Sequence, residues 1–293
     1  MKILNDSNKN TRWEKNSEWL RSSRLDMWNG DYFEFLVKHV WKFNKPVRIV
    51  DFGCGIGYLG SVLLPLLPEG SSYTGLDISE ILLNDARGIF TDKEWDTEFI
   101  QQDLRMYIPE EKYDIAICQT LLIHLSAPLT ALEKMVRSVV PGGFVICVEP
   151  NWMFTHFGTY RHGMEVYSYE DAGIHQKWFD TILKRGVRDP YIGIKLPAMM
   201  HDLGLKNIDI RINDRANFKF QEPNKAKLSK SREERRVNRA NNAEFYIGGG
   251  LDPNDAENLV ESFLKTEDYV NDREKPLAVV SAMAWLVSYG EKQ

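Results

Sequence analysis

A chain of 293 residues, 43% hydrophobic and 27% charged, has the make-up of a soluble globular protein and suits one large domain with additions or two small ones. A net charge of −5 speaks against nucleic acid as the main partner, and no apolar run approaches the length of a membrane span. Met1 to Asn8 lack the apolar core of a signal peptide and three cysteines cannot all pair internally, so a reduced, cytoplasmic protein is expected.

Apolar and aromatic positions from Asn10 to Phe43 (Trp19, Leu25, Trp28, Tyr32, Phe33, Phe35, Leu36, Val40, Trp41) are compatible with two helices, which Asn44 to Pro46 ends. Strand-like runs then alternate with helical ones. The strands are Val47–Asp51, Tyr73–Asp77, Glu98–Gln102, Tyr113–Cys118 and Phe144–Val148; the helices are Tyr58–Leu67, Glu80–Phe90 and Leu129–Val140, the last stopped by Pro141-Gly142-Gly143. Such alternation predicts right-handed βαβ units and a mostly parallel sheet. Beyond Pro150 an aromatic-rich stretch runs to about Arg188, and Arg185 to Gly193 reads as a turn into the next helix. A helix (Lys195–Leu203), a strand (Asn207–Ile212), a very polar segment (Asn213–Asn242), a helix (Asn254–Lys265) and a last strand-like run (Leu277–Tyr289) follow.

The first strand ends in Asp51-Phe-Gly53-Cys-Gly55-Ile-Gly57 and opens into a helix. A turn of this kind brings a ligand against bare backbone at a helix N-terminus. Tyr58 stands where the dinucleotide fingerprint needs its third glycine, so that fingerprint is absent, and a ligand-free βα turn is the plain alternative. Asp77 ends the next strand, about twenty residues past the glycines, where a carboxylate can accept both hydroxyls of a ribose. It is otherwise a helix cap, but Ser79 is the better cap and leaves Asp77 for a ligand. At the end of the third strand, Asp103 can accept from an exocyclic amine and Leu104 can pack on a flat ring; alone, this pair is an ordinary loop. Cys54 reads as a small residue tolerated beside the glycines rather than a catalytic thiol.

Together these motifs resemble the class I S-adenosylmethionine-dependent methyltransferases, closely from Val47 to about Pro150 and more loosely beyond. Asp51 to Gly57 is similar to the family's acid-x-Gly-x-Gly-x-Gly motif, Asp77 to its ribose-binding acid and Asp103-Leu104 to its adenine-contacting pair. Tyr113 to Gln119 resembles its fourth strand, and Pro141-Gly142-Gly143 the turn before its fifth.

The resemblance implies a doubly wound α/β sheet of seven strands, a Rossmann-like fold in the order 3-2-1-4-5-7-6 with the last strand antiparallel. Asn207–Ile212 would be strand six and Leu277–Tyr289 strand seven. Residues 1–45 would form an N-terminal helical cap on a domain of residues 46–293, with cap insertions near 152–193 and 213–276. It further implies S-adenosyl-L-methionine as cofactor, released as S-adenosyl-L-homocysteine. Gly53, Cys54 and Gly55 would lie beneath its methionine part, with Asp51 and Gln119 holding the ammonium and Ile78 covering the adenine. Arg21, Arg24 or Tyr32 would reach its carboxylate.

The reaction so implied is in-line methyl transfer to a small-molecule acceptor, which requires no metal; no metal-ligand cluster stands out in the sequence. His124 is the general-base candidate nearest the cofactor, with packing as its plain alternative. His156, His162, His175 and Glu149 are further crevice candidates. Trp152, Phe154, Phe157, Tyr160, Tyr167, Trp178 and Phe179 suit an acceptor with an apolar or planar part, or equally a lid with its own small core. Adenine and glutamine amino-methyltransferases are set aside because Gln119-Thr-Leu-Leu replaces their Asn/Asp-Pro-Pro-Tyr. Cytosine-C5 enzymes are set aside because Cys118 lies within its strand. The competing readings are an RNA methyltransferase gripping phosphates with the basic residues between Lys225 and Arg239, more simply a solvated segment, and a non-catalytic nucleoside-binding protein. The acceptor, its attacking atom and the oligomeric state are written in none of these motifs.

Overall fold

The structure is a computed structural model, and it describes residues 27–110, 112–164, 172–186, 188–223 and 243–293. Helix α1 (Tyr32–Phe35) continues into a π-helical turn (Leu36–Trp41) and leads to β1 (Arg48–Phe52). Then come α2 (Tyr58–Leu63), β2 (Ser72–Asp77), α3 (Glu80–Phe90), β3 (Asp96–Gln101) and β4 (Tyr113–Gln119). A 3-10 turn (Leu122–His124) precedes α4 (Pro128–Ser138), β5 (Val139–Pro150), α5 (Trp152–Phe157), β6 (Thr159–Arg161) and α6 (Ala172–Lys184). The chain continues through α7 (Ile192–Asp202), β7 (Lys206–Ile212), β8 (Ala216–Gln221), α8 (Pro253–Asn271), β9 (Leu277–Ala282) and β10 (Trp285–Glu291). Among the described residues, no helix is long and apolar enough to cross a membrane.

The chain divides into two compact units. The first comprises the described residues up to Asn151 together with Tyr191–Arg215 and Ala284–Gln293. Its sheet has the order β3-β2-β1-β4-β5-β10-β7, with β10 antiparallel to both neighbours and the other pairings parallel, which is the seven-stranded order expected from the sequence. The central strands β1, β4 and β5 are buried on both faces, so they read as continuous apolar runs rather than alternating ones. Helix α4 packs on β4 and β5, with Ala131, Leu132 and Met135 buried at helical spacing. Leu132 and Met135, taken out of water, contribute roughly 1.5–3 kcal/mol each. The predicted helix over Leu129–Val140 ends earlier, at Ser138, and β5 runs through Pro141-Gly142-Gly143 as an irregularity in its pairing with β4. There Gly142 adopts a φ of 78°, and a Cβ on Gly143 would lie 2.8 Å from the Val140 carbonyl. The turn is sewn to the C-terminal strand by Gly142 N–H donating to Lys292 O (2.7 Å) and Lys292 N–H donating to Gly143 O (2.9 Å).

The second unit comprises Trp152–Pro190 and Ala216–Met283, described residues only. It holds an antiparallel sheet in the order β6-β9-β8, with α6 and α8. Ile174, Trp178, Phe179 and Ile182 give α6 one buried face; Trp178 meets Tyr246 edge-on at 5.0 Å, and Val270, Leu277 and Val279 cluster together. One expectation is corrected here. The run Leu277–Tyr289 is two strands, and the first, β9, belongs to this second sheet, while β10 alone is the seventh strand of the main one. The exchange falls at Met283–Ala284, where Asn151 N–H donates to Ala284 O (3.0 Å) and Trp285 N–H to Asn213 Oδ1 (3.0 Å), anchoring the start of β10.

Candidate functional site

The carboxyl ends of β1, β2, β3 and β4 lie along one edge of the main sheet, because all four run parallel. The glycine turn leaves β1 at that edge. Gly53, Gly55 and Gly57 have φ of 69°, 54° and 74°, a left-handed conformation that penalises any residue with a Cβ. Leu76 O receives both Gly53 N–H (2.7 Å) and Cys54 N–H (3.0 Å), which ties the turn to β2. The three glycines then differ in surroundings. A Cβ at Gly53 would come within 2.7 Å of Leu121 Cδ1 and one at Gly57 within 2.9 Å of Phe90 Cε2, whereas one at Gly55 would meet nothing within 4 Å. Gly53 and Gly57 therefore serve packing, and Gly55 presents open backbone to a ligand.

Asp77 stands directly across from that opening. Its Oδ2 accepts from Gly55 N–H (2.9 Å) and its Oδ1 from Ser79 N–H (2.9 Å). Ser79 itself caps α3 through its side chain, which accepts from Leu82 N–H, so the carboxylate is not consumed as the helix cap. A carboxylate oxygen can accept more than one hydrogen bond, so these contacts are compatible with a further donor. Beside it Ile78 is 38% exposed, an apolar side chain at the edge, and its carbonyl accepts from Gln101 Nε2 at 3.1 Å.

Asp103 lies in the loop after β3 and forms a two-pronged pair with Arg105: Nε and a terminal nitrogen reach its two oxygens at 3.0 and 2.7 Å. The Arg105 guanidinium holds this carboxyl below the usual carboxylate range, so it remains ionised and an acceptor in mildly acidic solution. Leu104, half-buried, is placed by Lys134 of α4, whose ammonium donates to Leu104 O (2.7 Å) and Arg105 O (2.8 Å). Replacing Lys134 with methionine keeps the stem and removes both donors. Amide hydrogen exchange over residues 104–108 is expected to rise about fivefold, the worth of roughly 1 kcal/mol of lost hydrogen bonding. An unchanged exchange pattern would show that this loop stands without Lys134.

At the end of β4, Gln119 is buried and its amide lies 3.6 Å from Met27 Sδ. Thr120 takes a φ of 54°, which for a β-branched residue stores strain on the order of 1–3 kcal/mol. The following 3-10 turn carries half-buried His124 and begins on a carboxylate. Glu149 Oε1 accepts Leu121 N–H (2.8 Å) and Leu122 N–H (2.7 Å), and Oε2 accepts Ile123 N–H (3.4 Å). Glu149 is 0% exposed.

Three other expected residues are engaged inside the first unit. Asp51 is 1% exposed and accepts from Tyr73 Oη at 2.6 Å; burial, then the Asp51 charge, push the Tyr73 hydroxyl well above its ordinary value. The Cys54 thiol is buried and likewise raised, by burial first, which fits a packing residue and not a nucleophile. Tyr32 donates to Ile212 O (2.7 Å), and burial together with Asp214 pushes its hydroxyl up to about 12. Its neighbours Met27 to Asn29 are anchored by Asn213, Asp214 and Arg215 just past β7. Of the aromatic residues expected to line a pocket, Trp178 and Phe179 belong to the core of the second unit, while Phe154 and Tyr160 are exposed. His175 is buried there too, and His162 is exposed. Arg21, Arg24, Tyr167, the side chains of His156 and Phe157, and the basic segment 225–239 lie outside the described residues. Among the described residues no group of His, Cys, Asp and Glu is arranged to hold a metal ion.

The sequence reading therefore brought Asp51, Gly53, Cys54, Gly55, Asp77, Ile78, Asp103, Leu104, Gln119 and His124 to the ends of four adjacent strands or the loops that follow them. It passed over Lys134, Tyr73 and Thr120. Glu149, an acid closing the apolar run Phe144–Val148, carried the signal, because a carboxylate buried there needs donors.

Residues 50–145 match the family described as a methyltransferase domain. Over 146 residues the chain is 31% identical to a ubiquinone biosynthesis O-methyltransferase of Hydrogenovibrio crunogenus, covering 48% of this chain and 57% of that protein. Over 151 residues it is 26% identical to an uncharacterized methyltransferase of Schizosaccharomyces pombe, 48% and 53% of the two chains. The chain thus spans about half the length of the curated relatives it matches. The crystal structure of the [4+2]-cyclase SpnF aligns over 97% of this chain and 96% of its own, with a TM-score of 0.50 and 16% identity, a likeness of fold alone.

Proposed function

We infer that this chain is a class I S-adenosylmethionine-dependent methyltransferase, a reading supported by its match to a methyltransferase domain, and that it transfers a methyl group from that cofactor to a small-molecule acceptor. The observation that carries this reading is the pairing of an open Gly55 with the Asp77 carboxylate, a cradle of bare backbone beside an acceptor for two hydroxyls. The residues present fit the cofactor. Asp77 takes the ribose hydroxyls, Ile78 and Leu104 flank the adenine and Asp103 accepts from its amino group. Gly53 to Gly55 underlie the methionine part, while Gln119 and Asp51 act on its ammonium, Asp51 from its buried position through intervening groups. When bound, the cofactor supplies a methyl group on a sulfonium and departs as S-adenosylhomocysteine.

The protein's part is to hold an acceptor atom in line with that methyl group and to keep water out. His124 would act as general base, taking the proton that an acceptor hydroxyl or ammonium gives up. The aromatic density of the sequence from Trp152 to Phe179 supports an acceptor with an apolar or planar part. The three free, buried cysteines fit a reduced, cytoplasmic setting.

The test is a transfer screen with methyl-labelled S-adenosylmethionine against metabolite fractions and total RNA. Label is expected in a low-molecular-weight product. Label confined to RNA would favour the nucleic-acid reading, and binding of the cofactor without any transfer would favour a non-catalytic nucleoside-binding protein.

A further inference from the structure

We propose that Glu149 is a positioning residue of the methyl-transfer site, holding residues 120–124 in the shape that sets Leu121 against Gly53 and His124 at the open edge of the sheet. This rests on the cofactor reading given above and deepens it. Three successive peptide N–H groups, those of Leu121, Leu122 and Ile123, converge on the one carboxylate, a concavity suited to an anion. Charge-assisted bonds of this kind are the strong ones, and burial of the whole side chain removes competing water.

The turn needs such a hold. Thr120 enters it in the left-handed region, disfavoured for a β-branched side chain, and its N–H donates to Val148 O (2.9 Å), one residue before Glu149. The far side of the turn bears on the cofactor cradle directly, since the Leu121 side chain occupies the space that any Cβ at Gly53 would need. His124 closes the same turn, its N–H donating to Leu121 O at 2.9 Å. Release of the carboxylate would let Thr120 relax to negative φ. Leu121 would then withdraw from Gly53 and His124 from the edge.

A glutamine at this position retains one acceptor oxygen and turns an amide N–H₂ toward a peptide donor, so at least one of the three bonds becomes a donor–donor contact. The strain argument adds a second variant. Thr120→Gly adopts the positive φ freely, so the turn no longer has to be held and the glycine should compensate for the loss at position 149.

The experiment is titration calorimetry of the full chain with S-adenosylhomocysteine, with thermal unfolding in parallel. Glu149→Gln is expected to weaken binding about thirtyfold, Thr120→Gly to leave it within about threefold, and the double variant to recover to within about fivefold of the unsubstituted chain. A carboxylate with a merely structural role would lower the unfolding temperature of Glu149→Gln and leave the affinity of the folded protein unchanged, which would overturn the proposal. So would a double variant as weak as Glu149→Gln alone. Should the amide variant fail to fold, Glu149→Asp, one methylene short of the turn, is titrated in its place with the same two outcomes. An unsubstituted chain that does not bind S-adenosylhomocysteine would overturn the cofactor reading and this proposal together; failure of the variants alone leaves the cofactor reading standing.

Discussion

Asp77→Ala is expected to bind S-adenosylhomocysteine about a hundredfold more weakly than the unsubstituted chain. A hydrogen bond to a charged acceptor contributes about 1.5–3 kcal/mol, so losing both ribose contacts removes roughly 3 kcal/mol, and 1.4 kcal/mol is tenfold in affinity. The fold should survive. The α3 helix keeps its cap because Ser79 supplies it, and water can take the place of the carboxylate at Gly55 N–H. Titration calorimetry reads the affinity and far-ultraviolet circular dichroism the fold. Unchanged affinity in a folded variant would remove Asp77 from the site.

The second large effect separates two glycines of the same turn. Alanine at Gly55 or Gly57 meets a similar backbone penalty, about 1–2 kcal/mol, because both have positive φ. At Gly57 the new methyl also strikes Phe90 at 2.9 Å and Phe99 at 3.3 Å, rings that pack on each other and on Tyr73, and such overpacking adds about 1–3 kcal/mol. Gly57→Ala should therefore lose roughly 3 kcal/mol of unfolding free energy in urea. Gly55→Ala should lose about 1 kcal/mol, yet bind S-adenosylhomocysteine at least about tenfold more weakly, because its methyl enters the space a ligand fills. Equal stability losses in the two variants would refute this division of labour between them.

The main sheet was legible because its signals are local. Short apolar strands separated by amphipathic helices announce βαβ units, and the order of strands was what the motifs' resemblance to a known family implied. The glycine turn was legible for a similar reason, since three glycines at alternate positions have few uses other than three left-handed backbones. What escaped has non-local causes. Nothing in Ser281-Ala-Met-Ala-Trp285 breaks a strand, for no glycine or proline lies there, and the switch between sheets is fixed by Asn151 and Asn213, distant in sequence. Strand β8 alternates phenylalanine with polar residues, yet both phenylalanines are exposed on an edge strand, so burial did not write the usual contrast. Lys134 acts through main-chain carbonyls of a loop about thirty residues away, and no side-chain pattern records that.

The interleaving of the two units bears on how the molecule forms. Among the described residues, strand β7 has a single neighbour in its sheet, β10, which the ribosome makes only after all of β8, α8 and β9. The three strands of the smaller sheet are likewise drawn from segments around 160, 219 and 280. Neither sheet can close while the chain is being made in order; the β1–β5 core can collapse early, but β5 keeps a bare edge until residues 285–291 are available. Pairings over such separations pay their loop-closure entropy before they gain contacts, which slows folding and lengthens the life of that unpaired edge. Refolding slower than that of a βαβ domain made in sequence is the expected consequence of this layout.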